Sequence, residues 1–274
     1  MAKTVSDAVL ERLEAWGVHR LFGYPGDGIN GFFASLEKKK ETFEFIQTRH
    51  EEMAAFMASG YAKFSGGVGV CVATSGPGAI HLLNGLYDAK LDHQPVVAIV
   101  GQTKRTAMGG DYQQEVDLVS LFKDVAHEYV HEVDAPAQVP MVVDRAVRIA
   151  LDKRTVTCLI LPADVQELEA VDKTPHEHHY VPGGVGYARP RVVPGDDPLA
   201  RAADVLNAGN RVAMLIGQGA RDAEQEVLAI ADVLQAGITK ALLGKDVVSD
   251  ELPFVTGSIG LLGTKPSYAM MINC

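Results

Sequence analysis

The chain has 274 residues, is 47% apolar and 22% charged, and carries a net charge of −10. It therefore has enough length for one large or two modest globular domains, and its acidity excludes nucleic acid as a partner, since a phosphate backbone needs a basic footprint. No apolar run approaches the roughly 20 residues of a spanning helix, no signal core precedes the first helix, and the three cysteines at 71, 158 and 274 make no disulfide framework, so a cytoplasmic chain with no membrane segment is expected.

Val5, Val9, Leu10, Leu13 and Trp16 recur at helical spacing and Gly17 stops that helix. Leu21–Gly23 reads as a short strand, and Tyr24-Pro25-Gly26-Asp27-Gly28 turns the chain into a helix over residues 29–36. The aromatic, alternating run Phe43–Gln47 predicts a second strand, Thr48-Arg49-His50 a turn, and residues 51–58 a helix of strong formers. Glu51 then stands at the carboxyl edge of a sheet, where ligand sites of open α/β sheets lie. Thr48-x-x-Glu51 also has the spacing of a capping box, in which the glutamate reaches back to the cap residue's N–H and does no chemistry.

An apolar strand follows at 68–73, then Ser75-Gly76-Pro77-Gly78, a helix to about Leu91 and a buried strand at 95–100. The Ser75–Gly78 turn lacks the spacing and lysine of a phosphate loop. Its glycines allow a backbone to approach a ligand closely, and Pro77 suits a first helical position. Residues 101–125 read as a loop with a helical patch at 118–122, residues 125–131 as a more exposed strand, 140–151 as a helix and 156–161 as a strand. Continuous apolar strands alternating with helices indicate a parallel sheet covered on both faces.

Composition shifts to Pro, Gly, His and charge over 166–194, the linker candidate. His176, His178 and His179 lie there without a carboxylate or cysteine partner at metal spacing, so no metal ligands are assigned. Helices at 197–208 and 221–234 and strands at 212–216 and 237–242 begin a second, Rossmann-like unit. Its Gly217-Gln218-Gly219 turn lacks the third glycine of a dinucleotide fingerprint, which disfavours a nicotinamide-binding protein.

Three motifs, Arg49-His50-Glu51-Glu52, Ser75-Gly76-Pro77-Gly78 and Asn84-Gly85-Leu86-Tyr87-Asp88-Ala89, occur in this order. They resemble the amino-terminal domain of the thiamine-diphosphate-dependent 2-keto acid enzymes, the family of pyruvate oxidases and acetolactate synthases. The resemblance covers nearly the whole chain. It implies an α/β fold: a parallel-sheet, three-layer pyrimidine-binding domain over 1–168, a linker over 169–194 and an incomplete Rossmann-like central domain over 195–274. The carboxyl-terminal domain, which holds the diphosphate and Mg²⁺, is then absent, and the chain is expected to be part of a longer enzyme and inactive alone.

The same resemblance assigns roles. Glu51 is expected to hydrogen-bond nitrogen N1′ of the cofactor's aminopyrimidine, favouring the tautomer that removes the hydrogen at C2. A carboxyl group kept from water exchanges such a proton readily, whereas a glutamine cannot. Ser75, Gly76, Pro77 and Gly78 line the ring, Pro25 and Gly26 form a second wall, and Asn84 lies near the cofactor. His81 and His93 are given no catalytic role. Gln114 matches a retained glutamine that contacts substrate, while Gln113 departs from the aromatic residue common in the family. Gly217, Gly219 and Arg221 resemble a flavin-contacting turn, but in the separate stretch Thr239–Lys245, which also resembles the pyruvate oxidases, Leu243 stands in place of a basic residue, and FAD is left open.

The implied activity is decarboxylation of a pyruvate-like 2-keto acid with electron transfer to flavin, in a homodimer or homotetramer with the cofactor between subunits. The alternatives are acetolactate synthase-type carboligation and a non-catalytic α/β binding module.

Overall fold

The computed structural model describes residues 2–171, 181 and 183–274. It divides into two units, Met1–Arg189 and Pro190–Cys274, a boundary that falls inside the stretch read as linker. The histidines at 176, 178 and 179 lie outside the described residues.

The first unit runs α1 (Val5–Ala15), β1 (Arg20–Gly23), α2 (Asn30–Lys38), β2 (Glu44–Gln47), α3 (Glu51–Ser65), β3 (Gly69–Ala73), α4 (Pro77–His81), α5 (Leu83–Leu91), β4 (Val96–Gln102), α6 (Leu118–Phe122), β5 (Val130–Glu132), α7 (Val139–Lys153), β6 (Val156–Pro162) and α8 (Ala163–Gln166). The six strands form one parallel sheet in the order β2-β1-β3-β4-β6-β5. Every residue of β3, β4 and β6 is buried, as strands covered on both faces must be. Successive side chains alternate between the two cores. Val70, Val72, Val97, Ile99, Leu159 and Leu161 pack with α1, α2 and α7. Cys71, Ala73, Ala98, Val100, Cys158 and Ile160 pack with α3, α4, α5 and α6.

A capping box between Thr4 and Asp7 starts α1. On α7 the fully buried Asp144 accepts from Arg12 Nε at 2.7 Å, Arg12 Nη2 at 2.6 Å and Trp16 Nε1 at 2.8 Å, which ties the two helices of that layer together.

Three boundaries differ from the pattern reading. Helix α3 continues to Ser65 and stops at Gly66, whose φ of +73° suits a glycine cap. The helix expected to run unbroken to Leu91 divides at Leu82, which is buried on the sheet side while His81 turns outward. The strand expected over 125–131 shrinks to β5. Ala126 N donates to Phe122 O at 2.9 Å and Tyr129 N to Ala126 O at 3.0 Å, so the chain turns under buried Val125 and Ala126 before extending.

The second unit contains α9 (Asp196–Asn207), β7 (Ala213–Ile216), α10 (Glu224–Leu234), β8 (Gly237–Lys240), β9 (Val255–Ser258) and α11 (Lys265–Asn273). Its parallel sheet has the order β7-β8-β9, over a small core of Ile216, Val227, Ala231, Ile238, Val247 and Val248. The helix expected from Arg221 begins at Glu224. Gln218–Ala220 form a 3-10 turn instead, and Arg221 Nε lies 3.2 Å from Asp246 Oδ1. Among the described residues, no helix is long and apolar enough to cross a membrane.

Candidate active site

Three strand ends converge at the carboxyl edge of the larger sheet. Thr48 N donates to Gly23 O at 2.9 Å and Tyr24 N to Val72 O at 3.3 Å, so the turns after β2, β1 and β3 lie side by side. Glu51 is the first residue of α3 and is only 8% exposed. The capping-box reading fails here. His50 is the cap, its Nδ1 accepting from Glu52 N–H at 3.3 Å. Thr48 Oγ1 instead donates to the carbonyls of Gly23 at 3.2 Å and His50 at 3.0 Å. That frees the Glu51 carboxylate from its own helix end.

Glu51 Oε2 lies 2.9 Å from His81 Nδ1, and the His50 and His81 rings sit 4.3 Å apart, tilted by 32°. Glu51 Oε1 makes no hydrogen bond among the described residues and faces the Ser75–Gly78 turn. A methyl group added at Gly78 would come within 3.3 Å of it and 2.6 Å of Thr74 Cγ2. One carboxylate oxygen is thus pinned, and the other looks into a cradle that only glycine keeps clear.

The turn after β1 packs on the turn after β3. A Cβ on Gly26 would meet Thr74 Cβ at 2.5 Å, and Gly28 N donates to Thr74 Oγ1 at 3.0 Å, which seats the turn holding Pro25 and Gly26 against Thr74 and Ser75. On the far side of the turn, Ser75 Oγ donates to Gln114 Oε1 at 3.2 Å. Gly76, at φ +58°, packs so closely that a Cβ there would sit 2.8 Å from Gln114 Cβ. Glu115 shapes this loop by accepting from Gly109 N at 2.6 Å and Tyr112 N at 3.0 Å, and those backbone donors hold its carboxyl below the usual range. Gln113, Gln114 and Ser75, with Asp27, Thr103 and Lys104, line a cleft of about 240 Å³. Neighbouring Arg105 is committed elsewhere, to Asp164 at 2.8 Å.

Asn84 does not reach Glu51; its side-chain amide donates to Glu52. Gly217, Gly219 and Arg221 gather in the second unit. A Cβ on Gly244 would meet Gly217 Cα at 2.7 Å, while the space around Gly219 is open. Pattern reading gave His81 no role, yet it is the residue that holds Glu51. Its signal is its place four residues after Pro77, on the helix that faces the same layer as α3.

Glu51, the Pro25–Gly26 turn and the Ser75–Gly78 turn thus lie together at one edge of the sheet, with Glu51 Oε1 toward Gly78. Comparison with known proteins gives the family. Residues 3–121 match the thiamine pyrophosphate enzyme N-terminal TPP binding domain, and residues 199–274 match the central domain of the same enzymes. A Bacillus subtilis protein named for thiamine pyrophosphate is 40% identical over 272 residues, covering 99% of this chain and 46% of its own length. Pyruvate oxidase of Lactiplantibacillus plantarum is 36% identical over 263 residues, covering 95% of this chain and 42% of its own length. Acetolactate synthase of Arthrospira platensis is 34% identical over 265 residues, covering 93% and 44%. The chain spans less than half the length of each of these three relatives.

Proposed function

The chain belongs to the thiamine pyrophosphate enzymes, and from that premise we propose that it supplies the aminopyrimidine site of an enzyme that decarboxylates a pyruvate-like 2-keto acid and passes the electrons to a flavin. The observation that carries this reading is the buried carboxylate of Glu51, with Oε2 fixed by His81 and Oε1 unpaired beside Gly78. When bound, thiamine diphosphate supplies the carbon acid whose conjugate base adds to a keto carbonyl.

Glu51 Oε1 is the atom that would hold and return a proton at the ring nitrogen. The pin to His81 keeps that oxygen on station, and burial keeps competing water away. The turns of Pro25–Gly26 and Ser75–Gly78 would bound the ring on either side. Gln114, held by Ser75, stands at the cleft where a keto acid would lie. Gly217, Gly219 and Arg221 are the residues assigned to flavin, on the open backbone at Gly219. Exposed Met53, Met57 and Phe64 of α3 and Leu91 of α5 form an apolar surface that supports self-association as a homodimer or homotetramer.

A second reading, carboligation of two keto acids, is favoured by the likeness to the Arthrospira acetolactate synthase. The test is product analysis of the full-length protein with pyruvate, thiamine diphosphate and Mg²⁺, with and without an electron acceptor. Acceptor-dependent carbon dioxide release and a visible flavin band support the oxidase. Acetolactate formed without an acceptor supports the synthase, and no carbon dioxide release would leave a binding module.

A further inference from the structure

Glu51 touches His81, and His50 packs on that ring, which puts two imidazoles beside one buried carboxylate. Each of His50, Glu51 and His81 offers one ligand atom, and the three atoms lie within 4.8 Å of one another. We propose that these three side chains bind a divalent transition metal of the zinc class in the cofactor-free protein, so that the metal and the aminopyrimidine exclude one another at Glu51. The exclusion rests on the role of Glu51 proposed above; the metal binding does not.

Around an ion the wider separations, up to 4.8 Å, have to close by as much as about 1.4 Å while the shortest opens. Zinc stands about 2.0–2.2 Å from imidazole nitrogen and carboxylate oxygen, so ligand atoms around a tetrahedral ion are about 3.4 Å apart. The 2.9 Å between His81 Nδ1 and Glu51 Oε2 therefore has to open by only about half an ångström, with the ion replacing the shared proton. Both imidazoles are exposed, with side-chain accessibilities of 47% and 42%, so they can turn inward and leave an entry path and a position for water. Glu52 Oε2 lies 3.9 Å from His50 Nδ1 and adds negative charge beside that ring. The amino end of α3 disfavours a cation, and the two carboxylates offset it.

The donor set selects the ion. Two imidazoles and one carboxylate suit zinc, copper or cobalt, whereas Mg²⁺ prefers an all-oxygen shell. The Mg²⁺ that accompanies the cofactor would then not compete here.

The test begins with Zn²⁺ titrated into the cofactor-free 274-residue chain against a chelating dye. One ion per chain is expected, and His81→Ala or His50→Ala should each weaken binding about tenfold or more. Thermal melts check that these surface variants fold. Co²⁺ should give the intense visible bands of a four-coordinate site in the wild type and lose them in His81→Ala. A variant carrying His176→Ala, His178→Ala and His179→Ala should bind as the wild type does. Unchanged affinity in His81→Ala, or loss in the triple variant, would overturn the site. Thiamine diphosphate with Mg²⁺ is then added to the zinc-loaded full-length enzyme. Zinc released to the dye supports exclusion, and zinc retained while the cofactor binds overturns it. A metal-free full-length enzyme that takes up no cofactor refutes the functional reading and the exclusion together, while the zinc titration still decides the site.

Discussion

Replacing Gly76 by alanine probes the junction on which the cleft depends. Gly76 has φ +58° and ψ −119°, a conformation that costs an L-residue about 1–3 kcal/mol. The added Cβ would lie 2.8 Å from both Cβ and the carbonyl oxygen of Gln114, where ordinary contact begins at 3.4 Å. The two turns must part by about half an ångström, an overpacking cost of about 1–3 kcal/mol. Gln114 already has φ +65° and cannot readily yield. The sum centres near 4 kcal/mol, and at ~2–4 °C per kcal/mol for a unit of this size the first unit should melt roughly 8–16 °C lower. Circular dichroism melts of the 274-residue chain measure this. Gly60→Ala is the control, because its methyl meets nothing within 4 Å and alanine favours the helix by about 1 kcal/mol. A Gly76→Ala melt within about 2 °C of wild type would refute the close approach of the two turns.

Asp144→Ala removes the buried acceptor of Arg12 and Trp16, and because Arg12 is partly exposed the loss should fall near the lower end, about 3 kcal/mol by urea denaturation. Burial opposes ionisation of Asp7, yet hydrogen bonds from the Thr4 backbone, Ser35 and Lys38 hold its carboxyl at about 2 instead of 3.8. Its contribution is therefore complete above pH 3.8 and lost as pH falls through about 2. Asp7→Asn should destabilise the chain at neutral pH by an amount that shrinks to nothing in acid denaturation series. Burial pushes the Cys71 thiol up to about 12 and Cys158 upward as well, while Cys274 is exposed. A thiol reagent at pH 8 should thus label Cys274 alone in the native chain and all three cysteines after unfolding.

Much of the first unit can be read from residue patterns because β3, β4 and β6, buried throughout, are apolar at nearly every position, Gln102 and Thr157 excepted. The strand-to-helix handover at Glu51 is equally plain, since aromatic alternation stops and strong helix formers begin. What escapes is side-chain traffic across the sheet edge. His81 and Glu51 are separated by 30 residues, and their meeting depends on β1 lying between β2 and β3, which no local pattern states. The capping box at Thr48 had correct spacing but lost to His50, whose ring nitrogen took the Glu52 N–H. The break at Leu82 was hidden because apolar periodicity continues on both sides of it. In the second unit β9 escaped for a different reason: Thr256, Gly257 and Ser258 carry no apolar signal, and their order comes from pairing with β8 and from Thr264, whose Oγ1 donates to Thr256 O at 2.6 Å.

The most direct test is hydrogen–deuterium exchange at C2 of thiamine diphosphate bound to the full-length enzyme, comparing wild type with Glu51→Gln. A positioned acid–base group contributes about 10²–10⁴-fold, so exchange should slow by at least about a hundredfold while the variant still folds and binds the cofactor. Wild-type exchange in Glu51→Gln would show that this carboxylate does not move the proton, and the functional account would fall.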